Sequence, residues 1–530
     1  MPSLRSLYLP AVLVVVTLLQ LTTSLPAQGE SQSIKAHAAV NLGPANVCPA
    51  GQKSPKPCSQ SAKVKFSVTT TTSFGPVKVV TQGDSSLDFN LITTTCTGTL
   101  SAGSTCGVTV NFTPTTAGAR NGGIQIMDSE GNLISATYIY GIGQAPLTAF
   151  NPGVEINLPL TGYTGDAMAL DAAGNVYFAV NDNSIAEFDP VTGTQTTVAS
   201  GVGNADFVQG MTIDGEGNIV VSSNNIIKIA AVSRTQTPIA PELNGAAGIA
   251  ADGRGNLYIG DDWDNWGKYG WPRIAEISAK TGKVQTLLSG DVAGDTGIPF
   301  LNLPWGAAVD SATNAYVACY NFGPVFESLA GTPPDNGDGI VASRQYKEVG
   351  NFANPSAVTV DAAGDAYVVD GGVIEVQVGT GTLSQIAADQ SPFQVQMAMD
   401  AAGNLYFPNS NNSNEMVEAE AAPAPLNFGS VQVGGESAPQ SITIQNIGNE
   451  PLNAVTPGLS ISAGFVQVPG SGPFPDCTAS FSLAPGAACN LSISFEPKTA
   501  GTATGNATFT DNSLNNPKAS QAISLQGIGK

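Results

Sequence analysis

Near both ends of the chain, apolar and polar residues alternate in the same frame. "CGVTVNF" from Cys106 and "CNLSISF" from Cys489 each place every second side chain on one face. Such period-two runs predict half-buried strands, and the Gly- and Pro-rich stretches between them predict tight turns. The middle of the chain carries a different rhythm. "ALDAAGNVYFAV" returns as "TIDGEGNIVVSS", "AADGRGNLYIGD", "AVDSATNAYVAC", "TVDAAGDAYVVD" and "AMDAAGNLYFPN", with lead residues Asp171, Asp214, Asp252, Asp310, Asp361 and Asp400. Each copy reads as strand, tight turn, strand, and the spacing of roughly forty residues is that of propeller blades.

One blade cannot bury both of its faces, so six copies must stack into a ring. The last copy supplies three strands, "QMAMD", "NLYFPNS" and "EMVEAE", whereas an orphan strand, "VEINLPL" (Val154–Leu160), precedes the first copy. That orphan is expected to complete the last blade. Both flanking regions then leave the ring from one side, close enough to touch. The repeated Asp is expected to cap its own turn, with Gly supplying positive φ. Calcium is the one cofactor the Asp residues leave open, although their spacing lacks the dense alternate oxygens of a calcium loop. No other cofactor is expected.

The two ends are copies of each other. "CTGTLSAGSTCGVTVNFTPTTAGARNGGIQI" from Cys96 matches "CTASFSLAPGAACNLSISFEPKTAGTATGNATF" from Cys477. "VNLGPANV" and "PLNFGSVQVG" stand upstream, and "GIG" closes both copies. Each copy, about a hundred residues, fits one β-sandwich. The expected fold class is therefore all-β, a six-bladed β-propeller flanked by two Ig-like β-sandwich domains. The expected division is 1–27 signal peptide, 40–145 sandwich, 150–422 propeller and 424–530 sandwich. On these motifs the ends resemble the choice-of-anchor D modules related to the ASH/hydin type, and the middle resembles NHL-repeat propellers. The first resemblance implies spacers or attachment platforms without catalytic residues, carried by bacterial exported proteins. It also implies that Cys96–Cys106 and Cys477–Cys489 each staple two neighbouring strands.

Composition agrees. Charged residues make up only 12% of the chain, against 60 Gly and 35 Pro, which favours short strands and turns over helices. The formal charge is 20 − 41 = −21, which argues against nucleic acid and anionic membranes as partners. The opening "MPSLRSLYLPAVLVVVTLLQLTTSLPAQ" has a basic start, a short apolar core and small residues near Ser24–Ala27. It reads as a secretory signal peptide, with no membrane insertion after its removal and a secreted or extracytoplasmic destination. Six of seven cysteines fall into close pairs, Cys48/Cys58, Cys96/Cys106 and Cys477/Cys489, as disulfides in an oxidising compartment would. Cys319 is expected to be a buried small hydrophobe.

The only histidine is His37. A Ser–His–Asp triad and the His-dependent propeller lyases are thereby excluded from the propeller. A divalent-cation-dependent lactonase or other hydrolase in the channel needs only carboxylates and amides. Asn181, Asp182, Asp261, Asp370 and Asn409 end second strands on the relevant face, yet they match no such ligand motif.

The other chemical signal is "DDWDNWGKYGWP", Asp261 to Pro272, which holds three of the four tryptophans. It follows the second strand of the third blade. Trp305 enters the fourth blade, and Tyr320 and Phe322 follow that blade's second strand. All should therefore gather on the face opposite the Asp turns. Trp263, Trp266, Tyr269, Trp271, Trp305, Tyr320 and Phe322 would form an aromatic ledge there, with Asp261, Asp262, Asp264 and Asn265 as polar partners. Aromatics flanked by carboxylates suit stacking on a sugar or gripping a peptide. For the same rings the alternative is a small core that packs the insertions. The leading expectation is a non-enzymatic exported binding or scaffold protein, its partner a carbohydrate, a peptide or a cell-envelope component. The alternatives are the hydrolase and a purely structural envelope component.

Overall fold

The computed structural model describes residues 34–530 apart from 36–37, 50–56, 86, 181–182, 203–207, 224, 242, 244, 262–271, 290–300, 302, 321–322, 331–344, 378–379, 389–395 and 410–411. The signal-peptide reading therefore falls outside the described residues. What is described is built of strands, with one short 3-10 turn at Ser513–Asn515.

Five sheets of four antiparallel strands follow one another along 163–200, 210–238, 246–289, 304–351 and 357–388; they are blades 1 to 5. Blade 6 combines Ala398–Met399, Leu405–Asn409 and Asn412–Pro423 with Gly153–Leu158, which pairs antiparallel along Asn412–Pro423. The orphan strand thus closes the ring as its position in the sequence predicts. Gly153 lies opposite Pro423, so the chain enters and leaves the propeller at the same edge. Between neighbouring blades, apolar side chains of the facing sheets interlock. Ile213, Ile219, Val221 and Ile229 of blade 2, for instance, pack with Ala167, Ala179 and Ile185 of blade 1.

The two sandwiches share one topology. In the first, a sheet ordered 34–35, 60–68, 105–112, 89–94 faces a sheet in which Val40–Asn46 runs parallel to Leu133–Gln144. In the second, Leu426–Val431 runs parallel to Ala519–Gly529 in the same way. Phe66, Phe89 and Phe112 fill the first core; Phe495, Phe509 and Ile493 fill the second. Disulfides join Cys48–Cys58, Cys96–Cys106 and Cys477–Cys489, the mark of a chain that matures in an oxidising compartment. Cys319 is fully buried in the blade 4 core.

One element departs from the sequence reading, which starts the second sandwich at residue 424. The outer strand of its second sheet is Thr148–Asn151, paired with Gln440–Asn446. In the first sandwich the matching place is held by Ile34–Lys35. The propeller is thus inserted between the first strand of the second sandwich and all the others. Phe150 anchors the early strand in the second core, its ring 5.9 Å from that of Phe509. Four residues are too few to show a period of their own, so this strand reads as linker in the sequence.

Candidate functional site

The Asp turns are built alike in all six blades. The lead carboxylate accepts backbone N–H bonds from within its turn: Asp310 Oδ1 from Ala312 and Asn314, both at 2.8 Å, and Asp400 Oδ1 from Ala402 at 2.8 Å and Asn404 at 2.9 Å. Where Asn closes the turn its amide donates to the second carboxylate oxygen, at 2.7 Å for Asn314 and 2.9 Å for Asn404. The same Asn accepts from the blade's third-to-fourth-strand turn, as with Ala330 N at 2.8 Å. In blades 1, 3, 4, 5 and 6 a Tyr six residues on donates its hydroxyl to that carboxylate: Tyr177, Tyr258, Tyr316, Tyr367 and Tyr406, at 3.3–3.4 Å. Across the sheet each Tyr faces a Glu. The Asp oxygens are consumed by the fold, as turn capping requires.

Two blades break this pattern, and each break is filled by a sandwich. In blade 2 the Tyr position is Val220 and its cross-strand partner is Lys228. The phenol comes instead from Tyr138 of the first sandwich, which donates to Asp214 Oδ2 at 2.8 Å and accepts from Lys228 Nζ at 3.1 Å. Lys228 also pairs with Asp214 at 3.1 Å. Burial pushes Glu216 in this cluster up to about 7, with the Asp214 charge adding to it and Lys228 opposing. In blade 5 the turn Asn is replaced by Asp365. Gln445 of the second sandwich donates to Asp365 Oδ2 at 3.0 Å and to Glu375 Oε1. Burial, then the Asp365 charge, pushes Glu375 up to about 8. Further bonds seat the first sandwich: Gln125 Nε2 on Glu216 O at 2.9 Å and Thr116 Oγ1 on Ala401 O at 2.7 Å. Gly215 and Gly122 bring the backbones together, since a Cβ on Gly215 would sit 2.6 Å from the Gly122 carbonyl oxygen.

The sandwiches also bind each other. Asn449 accepts from Ala145 N at 3.0 Å and donates to Gly143 O at 2.8 Å; Asn515 donates to Gln144 O at 2.7 Å and Val47 O at 2.9 Å. Both modules therefore sit on the Asp-turn face of the ring.

Trp305 and Tyr320 belong to the opposite face. Trp305 follows the first residue of the inner strand Pro304–Val309, at the end away from the Asp310 turn. It stacks on Tyr320 with ring centroids 4.2 Å apart and 6° between planes, both side chains half-buried. Tyr320 N bonds Leu303 O at 3.0 Å, which pins the pair at the rim. Asp261, at the same end of blade 3, is buried. Its Oδ2 accepts from Arg273 Nε at 2.8 Å and its Oδ1 from Gly245 N at 3.3 Å. Its carboxylate is thus held by the fold rather than offered to a partner. Trp263, Trp266, Tyr269, Trp271, Asp262, Asp264, Asn265 and Phe322 lie outside the described residues.

Of the carboxylate and amide residues weighed for a channel hydrolase, the other described ones are likewise engaged. Asp370 accepts from Ala353 N at 2.9 Å and Asn354 N at 2.7 Å, and Asn409 Nδ2 donates to Asn157 Oδ1 at 3.1 Å. Asn181 and Asp182 lie outside the described residues. The channel itself is narrowed by two glutamines that the sequence reading passed over. Gln396 accepts from Met168 N at 3.1 Å and Met211 N at 2.7 Å and donates to Met211 O at 3.1 Å. Gln82, from the first sandwich, donates to Ile213 O at 3.1 Å. A Gln in place of an apolar residue ahead of "MAMD" is the one sequence signal of the first.

No protein-family model matches the chain, and no curated protein matches it. Among solved structures, it is similar to an auxiliary nutrient binding protein from Bacteroides thetaiotaomicron, at 11% identity over 68% of this chain and 94% of that one, with a TM-score of 0.36. It is also similar to PorZ, a surface component of the type-IX secretion system of Porphyromonas gingivalis, at 13% identity over 68% of this chain and 51% of that one, TM-score 0.37. An ASH/PapD-like domain of a human protein matches 21% of this chain over 82% of its own length, at 19% identity and a TM-score of 0.16.

Proposed function

We propose that this chain is an exported, non-enzymatic binding protein. In this reading the propeller face opposite the sandwiches takes a carbohydrate, a peptide or another cell-envelope component. The blade repeats are of the NHL kind and the sandwiches of the choice-of-anchor D kind, here docked against the ring. The observation that carries the reading is the Trp305–Tyr320 stack, a half-buried flat aromatic pair at the rim the sandwiches leave uncovered. Such a pair offers a large apolar face at little entropic cost. The cysteine pairs support export.

The test is a glycan and envelope-polymer binding screen of the secreted form. Wild type is compared with Trp305→Ala and with the combined Trp263→Ala, Trp266→Ala, Trp271→Ala variant. Loss of capture with an unchanged melting temperature supports the proposal. Unfolding of both variants, or undiminished capture, defeats it. Turnover of lactones that stops on chelation would favour the hydrolase instead.

A further inference from the structure

The charge of the chain is not shared evenly among its modules. Residues 34–145, the first sandwich, hold seven Lys/Arg against four Asp/Glu, a net +3, whereas residues 153–423, the propeller, hold nine against thirty-one. Three of the seven stand on one surface. The sheet of Ile34–Lys35, Gln60–Val68, Thr105–Phe112 and Phe89–Thr94 contains no Asp or Glu. Along Gln60–Val68 the apolar Val64, Phe66 and Val68 turn into the core, and Lys63, Lys65 and Ser67 are exposed on the other face. Lys35, also exposed, lies beside Ser67 on the neighbouring strand. The lysines therefore form a row: Lys63 and Lys65 are two strand residues, about 7 Å, apart, and Lys35 stands about another 7 Å along. Among the described residues the ion pairs are made by Arg120, Lys228, Arg273, Lys347 and Lys498, none of them on this sheet.

The fold does not ask for this row. In the second sandwich Cys489 stands opposite Ile444 as Cys106 stands opposite Phe66, so the places of Lys65 and Lys63 fall to Thr443 and Ser441. The place of Lys35 falls to Ala149. Both copies build the same sheet, and only the first bears cations. Next to the row, Gly107 makes room for one of them, since a Cβ there would lie 2.8 Å from Lys63 Cε. Nor is the row covered. The first sandwich meets the ring through its other sheet, by Gln125 and Tyr138. Facing sheets pack about 10 Å apart, further than the roughly 8 Å Debye length at physiological ionic strength. The acidity of the propeller therefore does not cancel the row.

We propose that this outer sheet is a docking surface for an acidic polysaccharide, a chain of carboxylate-bearing sugars laid along Lys63, Lys65 and Lys35. Charge complementarity supplies the attraction, and a line of cations fits an extended chain better than a point anion. Ser61, Ser67 and Thr105 are exposed beside the lysines. Their hydroxyls both donate and accept, as sugar hydroxyls require. The phenylalanines of the sheet are buried, so no ring is offered for a nucleic-acid base to stack on. The surface shares no residue with the Trp305–Tyr320 rim and does not depend on it.

The test is affinity electrophoresis of the full-length protein through gels holding sodium alginate, polygalacturonate or neutral dextran, with mobility in dextran as the reference. At least one polyuronate should retard wild type at low salt, and the retardation should vanish towards about 0.5 M NaCl as the charges are screened. Combining Lys35→Gln, Lys63→Gln and Lys65→Gln should weaken capture at least about tenfold and leave the melting temperature unchanged. The three corresponding Lys→Arg changes should preserve capture, and so should Trp305→Ala. No retardation in either polyuronate, equal retardation of the triple Gln variant, or tighter capture by phosphatidylglycerol vesicles would each overturn the proposal. Self-association of wild type that the Gln variant loses would overturn it too, by making the acidic propeller of a second copy the occupant.

Discussion

The hydroxyl of Tyr138, on the first sandwich, lies 2.8 Å from Oδ2 of Asp214, on blade 2. It occupies the role that a blade's own Tyr plays in the five other repeats. The sandwich is therefore bonded into the propeller's internal pattern rather than resting against it. Tyr138→Phe should cost about 1.5–3 kcal/mol, the range for hydrogen bonds to charged groups, because it removes one donor from the buried Asp214 carboxylate and a partner from Lys228. Urea unfolding followed by tryptophan fluorescence measures this. A loss below about 0.5 kcal/mol would mean that the docking is incidental.

Glu375 gives the opposite joint a pH dependence. Burial and Asp365 raise its folded value to about 8 from an ordinary 4.5. A carboxyl with a raised folded value binds its proton more tightly in the native state. Its contribution is therefore full below about pH 4.5 and is lost as pH climbs towards 8. Glu216, raised to about 7, adds a loss of the same sign at the first joint. Glu375→Gln keeps an acceptor for Gln445 and removes the titration. The variant should match wild type near pH 5 and exceed it by a few kcal/mol near pH 9. Melting temperatures across that range supply the test, and parallel curves would refute it.

Phe150→Ala should destabilise the second sandwich, although residue 150 precedes the propeller in sequence. Its side chain is 6% exposed within the far core, so a loss of about 3–5 kcal/mol is expected. Limited proteolysis should release the C-terminal module first and leave the ring intact. First cleavage within the blades would contradict the strand assignment.

Chelation provides a further check. Each lead Asp already accepts backbone N–H bonds, so EDTA should leave the melting temperature where it was. Asp310→Ala, in contrast, should cost about 1–2 kcal/mol by uncapping its turn. A fall of several degrees on EDTA alone would restore calcium to the blades.

Much of this was legible in the residues. The recurring Asp, followed in five of the six copies by Gly and in the fourth by Thr313, marked six turns, and a last repeat short of one strand, together with an orphan before the first, identified the closure. Both signals are local and periodic. The joints were harder to read because they are exceptions. Val220 and Asp365 stand in the sequence as ordinary lapses of a repeat, and acquire meaning only when Tyr138 and Gln445 are seen beside them. Trp305 and Tyr320 form one platform, whereas the Asp261 carboxylate is absorbed by Arg273, four positions into a strand pairing that sequence alone does not reveal.

Thr148–Asn151 leaves the ribosome a whole ring ahead of the sheet it completes. Until the final module has been synthesised, that strand has no neighbour and Phe150 has no core to enter. A chain cut short anywhere after the propeller would carry an unmet edge, a row of unpaired N–H and C=O groups of the kind that templates pairing with another chain. Inserting one module within another thus makes closure of the second core wait on the last part of the polypeptide.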